Sequence, residues 1–464
     1  MTPPTKTVEP LQTGNRLAIL ALLSAVAGFS VLQSMVLPAP PEIRSALNAS
    51  ATATSWVLSA FLLVASVAAV TLGRLGDMFG KRLLLLISVA ALLTGSILAA
   101  LSPSIEVLIA ARALQGAGAA TFPLAYGLVR EIVPHARVPV VIGAVSSTFG
   151  IGFAVGLILP APLLDAAGWP AIFWLSALVD FAALVLIAVA VPESPDRTPG
   201  RVDWWGAALL AAALSCLLLA ISESRAWTLP SVIIFAVLGL VVLVAFILRE
   251  MRAEDPLVQL RLLAKPAVLA ANAGALLIGL ALYGAFSLIP QFAQNPTAPG
   301  YGFGATSLQS GLLLLPTAVT MVIVGPAAGR IGARIGHART LAAAGILGAT
   351  AYAILVIALD SIPAVLACTT ILGIAVGLAL TAMVNLLVGS VEPAMTGQAT
   401  GLNTILRTIG GALGAQVTAA LISTTAATPT PETGYRIAFA ACGATLALVA
   451  VIAATATTAG RTPR

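Results

Sequence analysis

The chain has 464 residues, of which 59% are hydrophobic and only 9% charged, and its mean hydropathy is +1.05. A soluble domain of that length needs far more charge to wet its surface, so a soluble globular fold is excluded. The net charge of +6 would suggest a nucleic-acid partner in a soluble chain. Here it follows from basic loops beside a lipid bilayer, and no nucleic acid is expected.

In chain order, apolar runs long enough to span a bilayer as helices lie near 17–37, 52–72, 83–101, 106–128, 138–160 and 170–191. The polar break Pro192-Glu193-Ser194-Pro195-Asp196-Arg197 follows. Two more runs near 204–222 and 231–248 lead to a charged connector, Arg249 to Lys265. Six others lie near 267–289, 309–328, 340–359, 363–388, 398–422 and 435–458. The stretch Met1 to Asn15 is polar, and the run after it is too long for a signal core, so no cleaved leader is expected. Cys216, Cys368 and Cys442 fall inside apolar runs without framework spacing and read as packed small hydrophobes, not disulfides or metal ligands.

The basic residues support the count of about fourteen helices. With the N-terminus cytoplasmic, eighteen of the 23 Lys and Arg fall in inner loops, and Arg44, Arg225 and Arg436 fall outside. Arg112 and Arg407 lie within spans. A missed helix would swap the sides downstream and blur this bias, so both termini are expected in the cytoplasm. The expected fold is all-α and integral to the membrane: a six-helix half over 1–191, a linker with two additional helices over 192–266, and a second six-helix half over 267–464.

A repeat supports the two halves. Gly73-Arg74-Leu75-Gly76-Asp77-Met78-Phe79-Gly80-Lys81-Arg82 follows the second run of the first half. Gly329-Arg330-Ile331-Gly332-Ala333-Arg334-Ile335-Gly336-His337-Ala338-Arg339 follows the second run of the second half. Each reads as a tight Gly/Arg turn, and such halves around a midplane site are a transporter architecture.

At these residues the chain resembles the major facilitator superfamily, in its fourteen-helix drug:proton antiporter branch. The match to Gly-x-Leu-(small)-Asp-x-x-Gly-(Arg/Lys)-(Arg/Lys) falls on Gly73, Leu75, Asp77, Gly80, Lys81 and Arg82. The resemblance implies a latch between the halves on the cytoplasmic side, with Arg130 and Glu131 as partners. Asp77 is able to pair with cations or cap a helix N-terminus. Arg112-Ala113-Leu114-Gln115-Gly116-Ala117-Gly118 is similar to the family's Arg-x-x-Gln-Gly-x-Gly motif, whose Arg is linked to proton coupling. Asn403 through Gly414, with Arg407, looks like the branch's Arg-x-x-Gly-Gly-x-x-Gly helix. Pro290-Gln291 through Gly304, followed by Gly311 to Pro316, resembles an external loop feeding the next span. Departures are equally plain. Phe29 stands where the branch carries an Asp in its first helix, the fifth-helix motif is altered after Gly156, and Ala333 replaces the Asp of the second loop.

Proton coupling needs a titratable group, and Asp180 is the one carboxylate placed deep in a span. Asp180 and the Arg112 neighbourhood are therefore the proton-coupling candidates. Two arginines against one acid within the spans disfavour cationic substrates, because a buried cation needs acids to offset its desolvation. Gln33, Ser34, Gln115, Asn272, Tyr283, Asn385, Asn403 and Arg407 are the candidates for the substrate cavity. His135 and His337 read as loop histidines. No phosphate loop and no cluster of His or acids at matched depths occurs, so neither an ATPase nor another enzyme is expected; without a cofactor, energy must come from an ion gradient, here the proton gradient, or from the substrate's own gradient. The reading is a monomeric, proton-coupled exporter of neutral or anionic amphipathic small molecules in a bacterial inner membrane. The alternatives are a uniporter or importer of the same fold, or a non-transporting sensor or scaffold.

Overall fold

The computed structural model describes residues 13–194, 203–222, 227–253, 256–296, 302–425 and 432–459. The polar break beyond Ser194, Arg225 (expected on the outer side), the loop residues Gly300 and Tyr301, and Lys6, Arg197, Arg201, Arg461 and Arg464 lie outside them. Among the described residues there are fourteen helices long and apolar enough to cross a membrane and no strand. The first six are α1 (Asn15–Met35), α2 (Ala53–Phe79), α3 (Lys81–Ala100), α4 (Ile105–Ile132), α5 (Val138–Gly156) and α6 (Pro170–Ala190). Next come α7 (Trp204–Ile221) and α8 (Leu229–Glu250). The last six are α9 (Pro266–Gln294), α10 (Leu308–Ile335), α11 (His337–Ile357), α12 (Ile362–Ser390), α13 (Thr396–Ile422) and α14 (Glu432–Ala456).

Helices are forced on these segments because hydrocarbon offers no partner for backbone N–H and C=O groups. Local chemistry marks the ends. Ser50 accepts from the backbone of Ala53 at the start of α2, and Thr306 with Gln309 forms a capping box at the start of α10. Both repeated loops are shorter than expected. Helix α2 runs on to Phe79 and α10 to Ile335, so Gly73 to Asp77 are helical and each turn rests on one glycine. These are Gly80 (φ 117°) and Gly336 (φ 96°), in a region that side chains rarely enter. Helix α9 likewise continues through Pro290 to Gln294, so Pro290 and Gln291 belong to a span and not to the external loop.

Helices α1 to α6 pack among themselves, as do α9 to α14, and the groups meet where α5 lies on α10 and α13 lies on α2 and α4. The added pair packs on itself and rests through α7 beside α2 and α13. The seam is tight because small residues let backbones approach. A Cβ on Gly325 would lie 2.5 Å from the Gly143 carbonyl, and one on Gly73 would lie 2.7 Å from that of Gly397. Helix α8 turns most of its surface outward, with Ile233, Ile234, Val237 and Val241 exposed. Helix α6 is two-faced: Leu178 and Phe181 point out, whereas Asp180 is 1% exposed.

Candidate functional site

Three cavities follow one another along the seam. The largest, about 170 Å³, is walled by Ser34 of α1 and Leu37 just beyond it, Leu58 and Phe61 of α2, Arg112 of α4, Tyr283 of α9, and Thr408, Gly411, Ala412 and Ala415 of α13. It lies toward the end of the bundle opposite Gly80. A cavity of about 20 Å³ continues it at mid-depth, between Phe29, Gln33, Phe61, Ser66, Phe149, Tyr283 and Arg407. The last, about 10 Å³, touches Phe122, Tyr126, Ser146, Asn403 and Arg407. No carboxylate lines any of the three.

Aromatic rings take the place of acids around the two arginines. Phe29 stacks on Phe61 at 5.8 Å and meets Phe122 edge-on at 6.1 Å. The Arg112 guanidinium lies 4.2 Å from the Phe61 ring centre, and that of Arg407 lies 4.6 Å from Phe149 and 5.7 Å from Phe122. Ring faces carry partial negative charge and stabilise a desolvated guanidinium. In the sequence Phe29 stands out only as a missing acid, and nothing local marks this cage. Its signal was present in Phe29, Phe61, Phe122 and Phe149, four aromatics on four separate segments of a chain with few of them.

Arg112 and Asp180 do not touch; two side chains join them. Arg112 donates through Nε to the Val57 carbonyl (3.1 Å) and through Nη1 to Gln115 Oε1 (2.7 Å). Gln115 Nε2 donates to Ser96 Oγ (3.0 Å), and Ser96 Oγ donates to Asp180 Oδ2 (3.3 Å). All four residues are buried. Asp180 Oδ1 has no partner among the described residues and lies against α1, where a Cβ on Gly28 would come within 2.8 Å of it. Gly95 makes the same kind of room for Gln115, whose Cγ would be 2.6 Å from an added Cβ. Helix α4 tightens into a 3-10 turn over Ala117–Ala120 directly after this chain. Gln115 therefore stands behind Arg112 and not on the cavity wall.

Toward Gly80 the seam is closed. Asp77 Oδ1 and Oδ2 accept from the backbone N–H groups of Gly397 (3.3 Å) and Gln398 (3.0 Å), the first turn of α13. A carboxylate of α2 thus caps a helix of the opposite half, where the dipole favours negative charge. Lys81 lies 3.3 Å from Asp77 and 2.7 Å from Glu131, and Arg130 donates to Thr396 Oγ1 at 3.0 Å. Gln398 also donates from its side chain to the carbonyls of Pro256 and Leu257, whose connector is held by Glu250 accepting from Leu257 and Val258 N–H. Arg82 takes no part: it reaches the Ala188 carbonyl at the end of α6 within its own half (2.7 Å). Gly73 acts by closeness to Gly397, and Gly80 by its positive φ.

The remaining expected cavity residues divide. Gln33 donates to the Tyr283 hydroxyl across the seam (3.3 Å), and Ser34 bonds the Gly152 carbonyl (2.8 Å). Asn403 and Asn272 hydrogen-bond each other at 3.3 Å, fastening α13 to α9, with Asn272 behind the wall. Asn385 lies near the sealed end, bonded to the carbonyls of Thr381 (2.8 Å) and Pro139 (3.4 Å), and is not a wall residue of these cavities.

Two six-helix groups about a seam with a sealed end define a transporter-type membrane protein, and the comparisons agree. The model of the Major Facilitator Superfamily matches residues 20–415 and again 276–464, and the chain belongs to that family. It is 30% identical over 411 residues to the uncharacterized MFS-type transporter Rv1877 of Mycobacterium tuberculosis (strain ATCC 25618 / H37Rv), covering 86% of this chain and 58% of the relative. The chain thus spans little more than half the length of that relative. It is 28% identical to the tetracenomycin C resistance and export protein of Streptomyces glaucescens (87% of this chain, 75% of the relative). It is 29% identical to the multidrug resistance protein Stp of Mycobacterium tuberculosis (strain CDC 1551 / Oshkosh), over 88% of this chain and 76% of the relative. The human organic anion transporter MFSD10 (TETRAN) superposes with a TM-score of 0.68 at 18% identity, over 95% of this chain and all of that one, a likeness of fold alone.

Proposed function

We propose that the protein exports small amphipathic molecules, neutral or anionic, in exchange for protons across a bacterial cytoplasmic membrane. The observation that carries this reading is the seam cavity, which holds two arginines among aromatic rings and no carboxylate. A cation entering it would lose its hydration without an acid to replace it, whereas an anion meets a guanidinium. The names of the Streptomyces export protein and the multidrug resistance relative support export over import.

The basic residues Arg74, Lys81, Arg82, Arg130, Arg330, Arg334 and Arg339 surround the sealed end, which accordingly faces the cytoplasm, as do both termini. The arrangement is then one with its cytoplasmic gate shut and its cavity directed outward. Alternating access breaks the Asp77 cap and closes the far end instead. Asp180 is the proton carrier, joined to Arg112 at the cavity through Ser96 and Gln115. One chain supplies both halves, so the monomer is the working unit. Everted vesicles test the direction and charge preference. An imposed pH gradient should drive accumulation of lipophilic anions and neutral compounds and leave quaternary ammonium dyes outside. Accumulation of the dyes alone would overturn the reading.

A further inference from the structure

The two arginines of the seam are in different states. Arg112 is 1% exposed, its Nε and Nη1 are engaged, and its face lies on Phe61. Arg407 is half-buried, lines both of the inner cavities, and among the described residues its side chain donates no hydrogen bond and forms no ion pair; it lies against the rings of Phe149 and Phe122, with the Tyr126 and Tyr283 side chains near enough to feel its charge. A guanidinium carries five N–H donors in a planar fork that matches a carboxylate. Such a group beside a cavity, with no side-chain acceptor among the described residues, is prepared for an anion that arrives with the ligand.

The space beside it defines the rest of that ligand. The 20 Å³ cavity at Arg407 shares Gln33, Phe61, Leu62, Tyr283 and Thr408 with the cavity of about 170 Å³. A dry cavity of about 150 Å³ is enough for one benzene ring, so the larger chamber takes a single ring between Leu58, Phe61 and Leu62. With Arg112 already engaged, one negative charge can be matched and a second cannot. We propose that Arg407 is the anchoring residue for a planar aromatic monocarboxylate, the ring lying in the chamber and the carboxylate on the Arg407 fork. The proposal rests on the seam being the transport path. It adds that the anchor is Arg407 and not Arg112, so that the second half recognises charge while residues of both halves wall the ring, Leu58, Phe61 and Leu62 from the first and Tyr283 and Ala412 from the second.

Equilibrium binding to the purified full-length chain in detergent, by calorimetry, tests this without any gradient. The probes are benzoate, its neutral isostere benzamide and the cation benzylammonium, each against wild type, Arg407→Gln and Arg407→Lys. Benzoate should bind wild type more tightly than either other probe. Losing charge-assisted hydrogen bonds should weaken benzoate about tenfold to hundredfold in Arg407→Gln, with part recovered in Arg407→Lys. Benzamide should bind Arg407→Gln as it binds wild type, which also reports that the variant is folded. Equal benzoate affinity in wild type and Arg407→Gln, no benzoate binding to wild type, or benzylammonium binding as tightly as benzoate would each overturn the proposal. Gradient-driven export of other anions in vesicles alongside failed benzoate binding would sink this inference and leave the exporter reading standing. Benzoate binding without gradient-driven export would do the reverse.

Discussion

Replacing Asp77 with Asn should open the gate. Its carboxylate accepts two backbone N–H groups from across the seam, at 3.3 and 3.0 Å, and is fully buried beside Lys81. Asparagine keeps one carbonyl oxygen, so one of the two caps is lost together with the charge favoured at the start of α13. One charge-assisted hydrogen bond contributes about 1.5–3 kcal/mol, and a charge at a helix N-terminus about 0.3–1 kcal/mol. Water recovers part of this when the gate is open, leaving a shift of about 2–3 kcal/mol, or roughly 30- to 150-fold in the open-to-closed ratio. Lys81 still has Glu131 at 2.7 Å, so α3 stays in place. The assay is labelling of Ser66→Cys, a buried α2 position on the wall of the mid-depth cavity, by a membrane-impermeant maleimide added on the Gly80 side. The chain without the reporter measures background from half-buried Cys216. Labelling of the reporter should quicken by a factor in that range until it saturates. An unchanged or slower rate in Asp77→Asn, with normal labelling from the far side, would refute the gate assignment.

Three further outcomes are expected. Gly397→Val should also quicken Ser66→Cys labelling, because an added Cβ would lie 2.6 Å from the Gly73 carbonyl and the closed seam cannot form; unaltered labelling would show that the glycine contact is not part of the gate. Asp180→Asn retains a partner for Ser96 but binds no exchangeable proton, so substrate counterflow should persist while gradient-driven accumulation is lost. Accumulation at the wild-type level would remove Asp180 from the coupling. Phe29→Asp places a carboxylate beside the Phe61 ring on which Arg112 lies, and should shift vesicle uptake from anions toward cations; an unmoved preference would contradict the charge argument.

The span count and the Asp77 loop were legible in the sequence because length, apolarity and a spaced Gly/Asp/basic pattern are local signals. Asp77 was recognisable from one loop, and its capacity to cap a helix follows from its chemistry. Its acceptor pair, Gly397 and Gln398, lies more than three hundred residues away and carries no local mark. Gly73 and Gly329 resemble turn residues in the sequence but are helical contact points, since glycine serves both purposes and within these two loops only Gly80 and Gly336 take positive φ. The link between Asp180 and Arg112 was invisible for a different reason. It passes through Ser96 and Gln115, with room made by Gly28 and Gly95, and small polar residues in a span resemble ordinary packing. The aromatic cage was overlooked because a missing acid at Phe29 read as a loss, when the ring itself solvates the neighbouring guanidinium.

The central claim is proton-coupled export through this seam. Its most direct test is proton flux in proteoliposomes holding a pH-sensitive dye, on adding anionic, neutral and cationic compounds to wild type and Asp180→Asn. Proton movement with anionic or neutral compounds in wild type, absent in Asp180→Asn, is the predicted result. Substrate movement without proton movement in wild type would contradict the claim and identify a uniporter.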